Sequence, residues 1–176
     1  MLSGADVPDL RELCLVLGSQ ILTRSGLTPD ETAARAALLR SIDSGAALQK
    51  LADMVAAQGG DPAAVFHPEL LPAAPVQRVV RAPRSGYITA MAARDMGLVS
   101  MHLGGGRATK EDVIDLSVGL ILRAKVGAYL RAGDELAVIH AADENAAERA
   151  ERELLACYTF DDTAPQLRPF IRGIMC

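Results

Sequence analysis

The chain carries its most informative stretch at residues 101–115, which read MHLGGGRATKEDVID. Three successive glycines, Gly104–Gly106, end an apolar segment, and the basic residues Arg107 and Lys110 follow them. Glycine adopts positive φ freely and lets the backbone approach another surface closely. The spacing fits neither a Rossmann nor a P-loop fingerprint. Taken alone, the motif fits a plain surface loop, a loop that holds an anion, or one that presses against a neighbouring domain.

His102 stands two residues before the first of these glycines and is the best placed of the three histidines in the sequence. No Ser, Cys or carboxylate stands at a recognisable spacing to act with it, so a structural role is favoured over a catalytic one. The acidic pairs Glu111-Asp112 and Asp161-Asp162 do not read as acid–base couples, because adjacent side chains point away from one another in a helix or strand. The histidine and the acidic pairs of the sequence therefore predict no catalytic residue.

Upstream of this stretch, residues 1–60 predict three helices. The first starts at Pro8, which suits a first helical position, and ends at Gly26. Its apolar stripe, at spacings of three and four, comprises Leu10, Leu13, Cys14, Leu17 and Ile21. Leu15, Val16 and Leu22 lie off that stripe. We expect Cys14 to be buried as a small hydrophobe, and the second helix to begin with Thr28 as its N-cap and Glu31 as capping-box partner.

Residues 61–75 are rich in proline, which disfavours helix for itself and for the residue before it. This segment is predicted to be a connector at a domain boundary. Residues 76–176 then predict short strands with two helices among them, one opened by Asp95 and leading into the glycines, and one closing helix. The predicted strands are Val76–Arg81, Tyr87–Met91, Leu116–Leu122, a short segment between Gly127 and Gly133, Glu135–His140, and part of the tail Tyr158–Cys176; the closing helix is Glu144–Ala156.

The composition of the 176 residues excludes several classes of function. A formal net charge of −4 and the absence of Trp argue against binding to a nucleic-acid backbone or stacking on its bases. No apolar run approaches the ~20 residues of a membrane helix, and no signal peptide is recognisable, so we expect a cytoplasmic protein. The three cysteines, Cys14, Cys157 and Cys176, are widely spaced and predict neither a zinc site nor a disulfide framework. We predict no metal and no cofactor.

Five segments, in their order and at their intervals, resemble the C-terminal part of the pyrimidine-nucleoside phosphorylases, the family that includes thymidine phosphorylase. They are residues 46–50 (AALQK), 54–61 (MVAAQGGD), 82–88 (APRSGYI), 103–119 (LGGGRATKEDVIDLSVG) and 126–134 (VGAYLRAGD). The resemblance extends from about Asp9 to about His140. Relatives often carry Ala where this chain has Gly105, and the tail beyond about Ala142 matches the family poorly.

The resemblance implies an α+β fragment of a larger enzyme. Residues 1–60 would be a helical segment from the parent's large α/β domain, 61–75 the Pro-rich connector, and 76–176 a small β-rich C-terminal domain of barrel-sandwich character with a closing helix. The parent reaction would convert a pyrimidine nucleoside and phosphate into the free base and (deoxy)ribose 1-phosphate. The family's phosphate-binding and base-gripping residues, and the helical domain through which it forms homodimers, have no counterpart here. The fragment would therefore be inactive by itself.

In the family, the loop that matches the glycine run lies near the cleft between domains and stabilises its closed form. The resemblance therefore implies a closure role, which excludes water from the reacting groups. The residues placed there are His102, Gly104, Gly105, Gly106, Arg107 and Lys110.

Two alternatives stay open. The APRSGYI segment and the two later turn motifs also resemble a biotinyl or lipoyl carrier domain, which needs a lysine at an exposed hairpin tip. The chain offers only Lys50, Lys110 and Lys125, and lacks a Met-Lys-Met sequence. A shared fold does not imply a shared function. The other alternative is a structural module that acts alone.

Overall fold

A computed structural model describes residues 1–167, 169 and 171–174 of the chain. The fold divides into two compact units. The helical unit comprises Met1–Leu70 with the described residues of the tail from Pro169 onward, and the β-rich unit comprises residues 71–167. Cys176, at the end of the predicted tail, lies outside the described residues. No helix in the described part of the chain is long and apolar enough to cross a membrane.

The helical unit is built from three main helices, as the sequence predicts. They are α1 (Pro8–Arg24), α2 (Glu31–Asp43) and α3 (Ala46–Ala57). A single-turn helix, α4 (Ala63–Phe66), and a 3-10 turn (Pro68–Leu70) follow inside the Pro-rich segment. That segment therefore contains more local structure than its prolines alone indicate.

The face of α1 that packs is not the predicted stripe. Leu15 is 3% exposed, whereas Leu17 and Ile21 are 55% and 67% exposed. The reason is the close approach of α2: a Cβ on Gly18 would come within 2.8 Å of the Leu38 side chain, so the small residues of α1 face that helix. Cys14 is exposed, and its predicted burial is wrong.

The N-cap of α2 also differs from the sequence prediction. The Asp30 carboxylate accepts a hydrogen bond from the Ala33 amide at 2.7 Å, which satisfies one of the free amides of the first turn. Thr28 does not cap the helix; its hydroxyl lies 3.4 Å from that of Thr23. Asp30 takes the position because its carboxylate stands directly before the first helical residue, Glu31.

The β-rich unit holds two antiparallel three-stranded sheets and two helices, so the α+β prediction is confirmed. One sheet has the order β1-β5-β3 and the other β4-β2-β6. The strands are β1 (Val76–Arg81), β2 (Gly86–Met91), β3 (Gly119–Leu122), β4 (Tyr129–Leu130), β5 (Glu135–Ala141) and β6 (Tyr158–Asp161); the helices are α5 (Ala93–Ser100) and α6 (Glu144–Ala156).

Central strand β5 supplies much of the core of this unit. Leu136 and Ile139 on β5 are fully buried, together with Val80 of β1, Ile88 of β2 and Leu154 of α6. These side chains belong to one apolar cluster, which therefore ties both sheets to the closing helix. The cluster also includes residues of α5, and this fixes the start of the glycine-rich segment that follows it.

Two element boundaries in this unit differ from the sequence prediction. β3 starts at Gly119 rather than at Leu116, because the preceding residues belong to a turn that is held by Asp115. Asp95 does not cap α5: Ala92 occupies the N-cap position without a side-chain bond, and Asp95 lies in the first turn. α6 has the predicted bounds, with Asp143 as its N-cap.

Candidate functional site

The glycine loop, residues 101–118, leaves the core directly after α5. Met96 and Val99 of α5 are buried, as is Leu103, which anchors the loop's first turn. That turn is a π-helical segment, Met101–Gly105, which is interrupted at Gly104 by a φ of +103°. Short π-helical segments are frequent at functional sites. The helix therefore ends in a break that redirects the chain to the surface.

The three glycines differ in what an added side chain would meet. Gly104 has the positive φ that L side chains rarely adopt. Gly105 does not, but a Cβ there would lie 3.1 Å from both the carbonyl oxygen and the hydroxyl of Ser100. At Gly106 a Cβ would lie 3.3 Å from the Met101 side chain. The close approach at Gly105 and Gly106 is therefore to residues of the loop's own preceding helical segment. The predicted approach to a neighbouring domain stays a prediction.

Two aspartates hold the remainder of the loop in a defined shape. The Asp112 carboxylate accepts from the amides of Ala108 and Thr109, both at 2.9 Å, and from the Thr109 hydroxyl at 2.8 Å. These bonds hold the pKa of Asp112 below its usual range, those from Thr109 contributing most. The Ser117 hydroxyl and amide donate to Asp115 and lower the pKa of that carboxyl in the same way.

The surface of this loop presents both charge and apolar area. Arg107 and Lys110 are exposed, and neither forms an ion pair with a described residue. Val113 and Leu116 are 90% and 81% exposed, although the Asp112 and Asp115 bonds fix the backbone beside them. A depression of about 390 Å³ lies within the loop, between His102 and Val113. The loop thus presents two exposed cations and two exposed apolar side chains on an ordered backbone.

Sequence reasoning missed Val113 and Leu116 as surface residues. Leu116 falls inside the strand predicted from 116 to 122, where alternate residues would be buried. Two aspartates in the sequence could have indicated these turns. Asp112 follows Thr109 and Asp115 precedes Ser117, and each hydroxyl can bond to its aspartate. Asx and ST turns of this kind compete with strand formation.

His102 is joined to α6 rather than to a catalytic partner. Its Nδ1 lies 2.9 Å from Oε2 of Glu153, and both side chains are about half exposed. His67 pairs with Glu69 on the surface of the helical unit. His140 stands opposite Gln77 and Gly119 in the β1-β5-β3 sheet. In the described parts of the chain, no three His, Cys, Asp or Glu side chains are close enough to hold a metal ion.

The lysines considered for a carrier function lie in two different settings. Lys110 is on the glycine loop. Lys125 opens the turn before β4, and its carbonyl accepts from the Ala128 amide at 3.0 Å. The carrier interpretation stays a prediction.

Comparison with known proteins gives a consistent result. Residues 87–161 match the sequence profile of the pyrimidine nucleoside phosphorylase C-terminal domain. The chain is similar to proteins named pyrimidine-nucleoside phosphorylase from Staphylococcus aureus, among them those of strains bovine RF122 / ET3-1 and USA300. Each is 45% identical over 139 residues, which cover 79% of this chain and 32% of the relative. The chain therefore spans about a third of the length of these relatives.

Proposed function

Since this chain carries the C-terminal domain of the pyrimidine-nucleoside phosphorylase family, we propose that it is the C-terminal part of an enzyme that splits pyrimidine nucleosides with phosphate. The products are the free base and (deoxy)ribose 1-phosphate, because phosphate attacks the anomeric carbon as the base leaves. The observation that carries this proposal is 45% identity sustained over 139 residues.

The part of the reaction assigned to this chain is closure of the cleft, not bond breaking. His102, Gly104, Gly105, Gly106, Arg107 and Lys110 form the proposed closure loop. Its exposed cations and the exposed side chains of Val113 and Leu116 support a loop that contacts another surface. Closure of this kind expels water from around the reacting groups and strengthens the electrostatic interactions inside the site.

The chain by itself is proposed to be inactive. Phosphorolysis requires groups that hold phosphate and the pyrimidine together, and the described residues supply scaffold and loop only. The complete enzyme is proposed to bind phosphate and a pyrimidine nucleoside, to need no cofactor, to act in the cytoplasm and to be a homodimer through a separate helical domain. Nucleic acid and membrane are not among its proposed partners.

A chimera tests the proposal directly. The matched third of the Staphylococcus aureus enzyme is replaced by this chain, and release of free base from a pyrimidine nucleoside is measured with phosphate present. The chimera should release base, whereas the same enzyme with the matched third deleted should not. A chimera that folds, by circular dichroism and a cooperative melt, yet releases no base would contradict the proposal.

A further inference from the structure

Helix α6 forms a hydrogen bond with the glycine loop through the side chain of Glu153. Glu153 Oε2 lies 2.9 Å from His102 Nδ1 in the loop's first turn. An ionised carboxylate can only accept a hydrogen bond, so Nδ1 is the donor. The side chains are 54% (His102) and 44% (Glu153) exposed, so the pair stands at the surface, above the packed contact between the turn and the helix. The pair joins two elements that are 51 residues apart in sequence.

Below this pair, the loop's first turn and α6 are in direct contact. Leu103 is 7% exposed and belongs to the same apolar cluster as Ala150 and Leu154 of α6. The gap left between the turn and the helix has a volume of only about 10 Å³. That is at the lower limit of the space that one water needs. The turn therefore rests on the helix itself, with the His102–Glu153 pair at the edge of this contact.

α6 can support the turn because other bonds attach the helix to the sheet. The Arg78 guanidinium on β1 donates to Glu144 at 2.8 Å and to Glu151 at 3.2 Å. The Asp143 carboxylate caps the first turn of the helix through the Ala146 amide, at 2.7 Å. None of these bonds involves the glycine loop. Loss of Glu153 would therefore remove the bond to His102 without releasing the helix.

The turn that Glu153 holds decides where the loop begins. The Gly104 carbonyl, within this turn, accepts from the Asp115 amide at 2.9 Å and so closes the loop at its far end. We propose that Glu153 is a positioning residue for the glycine loop: by holding His102, it orients the turn that aims the Gly104 carbonyl at Asp115. The value of this position for catalysis rests on the proposed closure function.

Hydrogen exchange tests the proposal on this chain alone. The exchange rate of the Asp115 amide, measured by NMR, should rise about two- to fivefold in Glu153→Ala, the range expected for loss of a partly exposed ion pair. Glu153→Gln keeps an acceptor oxygen and should restore much of the protection. Glu148→Ala is the matched control, because Glu148 is an exposed glutamate on the same helix whose one ion-pair partner among residues 1–167, 169 and 171–174 is Arg152, at 3.1 Å. It should leave Asp115 exchange unchanged.

The imidazole supplies a second, spectroscopic readout. Which ring nitrogen carries the proton is set by the hydrogen bond that the ring makes. Neutral His102 in the unmodified chain should therefore carry its proton on Nδ1. In Glu153→Ala the proton should shift toward Nε2. A long-range nitrogen–proton NMR spectrum distinguishes the two tautomers. A proton on Nε2 in the unmodified chain would overturn the proposal.

Two exchange results would also overturn it: an unchanged Asp115 rate in Glu153→Ala, or equal acceleration of Asp115 and the amides of β5. The second result would show loss of overall stability rather than release of the loop. None of these measurements uses nucleoside or phosphate. A chimera that fails to release base would therefore refute the proposed function while leaving this inference standing.

Discussion

At the scale of single residues, the glycine loop depends on backbone space at one position and on backbone dihedral angle at another. Gly104 needs its positive φ, whereas Gly105 needs the room beside the Ser100 carbonyl. The two requirements are separable, since a substitution at Gly104 is strained whatever the space around it. Asp112 and Asp115 then add order that comes from hydrogen bonds rather than from packing.

Gly104→Ala should disturb the loop by about 1–3 kcal/mol, because alanine at a φ of +103° is strained. Gly97→Ala is the matched control. Gly97 lies within α5 with nothing within 4 Å of an added Cβ, so alanine there should stabilise the helix by up to ~1 kcal/mol. Chemical denaturation of both variants measures the difference. Equal stabilities for the two would be incompatible with a strained Gly104.

The order of the loop should depend on pH in the acid range. The pKa of Asp112 is lowered in the folded chain, so its contribution is complete above the ordinary aspartate pKa, ~3.9, and is lost as the pH falls through the lowered value. The amide resonances of Ala108 and Thr109 should therefore shift together toward unstructured values in an acid titration by NMR. In Asp112→Asn that transition should be absent; its persistence would assign the effect to another carboxyl.

At the scale of elements, sequence periodicity located the helices but not always the faces they bury. The bounds of α6 and β1 follow from their patterns, and Pro8 marks the start of α1. The apolar stripe of α1 was misassigned because Leu15 and Leu17 are equally apolar, and the choice between them depends on where α2 packs. Helix–helix contact at Gly18 and Leu38 is tertiary information that no local pattern contains.

The packed face of α1 can be tested by truncation at two leucines. Leu15→Ala should cost about 2–5 kcal/mol, as for other buried leucines, because the side chain is 3% exposed. Leu17→Ala, on the exposed side of the same helix, should change stability by about 0.5 kcal/mol or less. Thermal melts of the two variants check the order. If Leu17→Ala proves the more damaging, the sequence-based stripe is correct and the buried face is misassigned.

The candidate site was predictable as a segment but not as a surface. Gly104–Gly106, Arg107 and Lys110 could be singled out from the sequence, because a glycine run followed by cations is typical of a loop that approaches another surface or an anion. The exposure of Val113 and Leu116 was not predictable, because it follows from turns that remove both side chains from the sheet. The His102–Glu153 pair was not predictable either, because it joins positions 51 residues apart.

At the scale of the whole molecule, the chain joins a helical unit and a β-rich unit and spans about a third of the length of its relatives. Each unit has its own internal contacts, and the glycine loop belongs wholly to the β-rich one. The predicted division into residues 1–60, 61–75 and 76–176 remains a prediction. We therefore propose phosphorolysis, which needs phosphate and nucleoside sites, as the activity of the larger protein. For this chain we propose closure of the cleft.

The chain alone should not release free base from thymidine or uridine in the presence of phosphate. The physical reason is that positioning two substrates requires binding groups, which we propose belong to the remainder of the larger protein. A chromatographic assay of base release against a protein-free blank measures this, with the intact Staphylococcus aureus relative as positive control. Release above the blank by the pure chain would show that it contains a complete site.

The measurement that most directly tests the closure account is steady-state kinetics of loop variants in the chimera. Gly105→Val and Arg107→Ala should each lower kcat/KM, by about tenfold or more for Gly105→Val, because a β-branched side chain collides with Ser100. The melting temperature of Arg107→Ala should stay close to that of the parent chimera, because the Arg107 side chain is exposed. Arg152→Ala, an exposed arginine paired within α6, should have no effect on turnover. Unaltered kinetics in both loop variants would contradict the closure role.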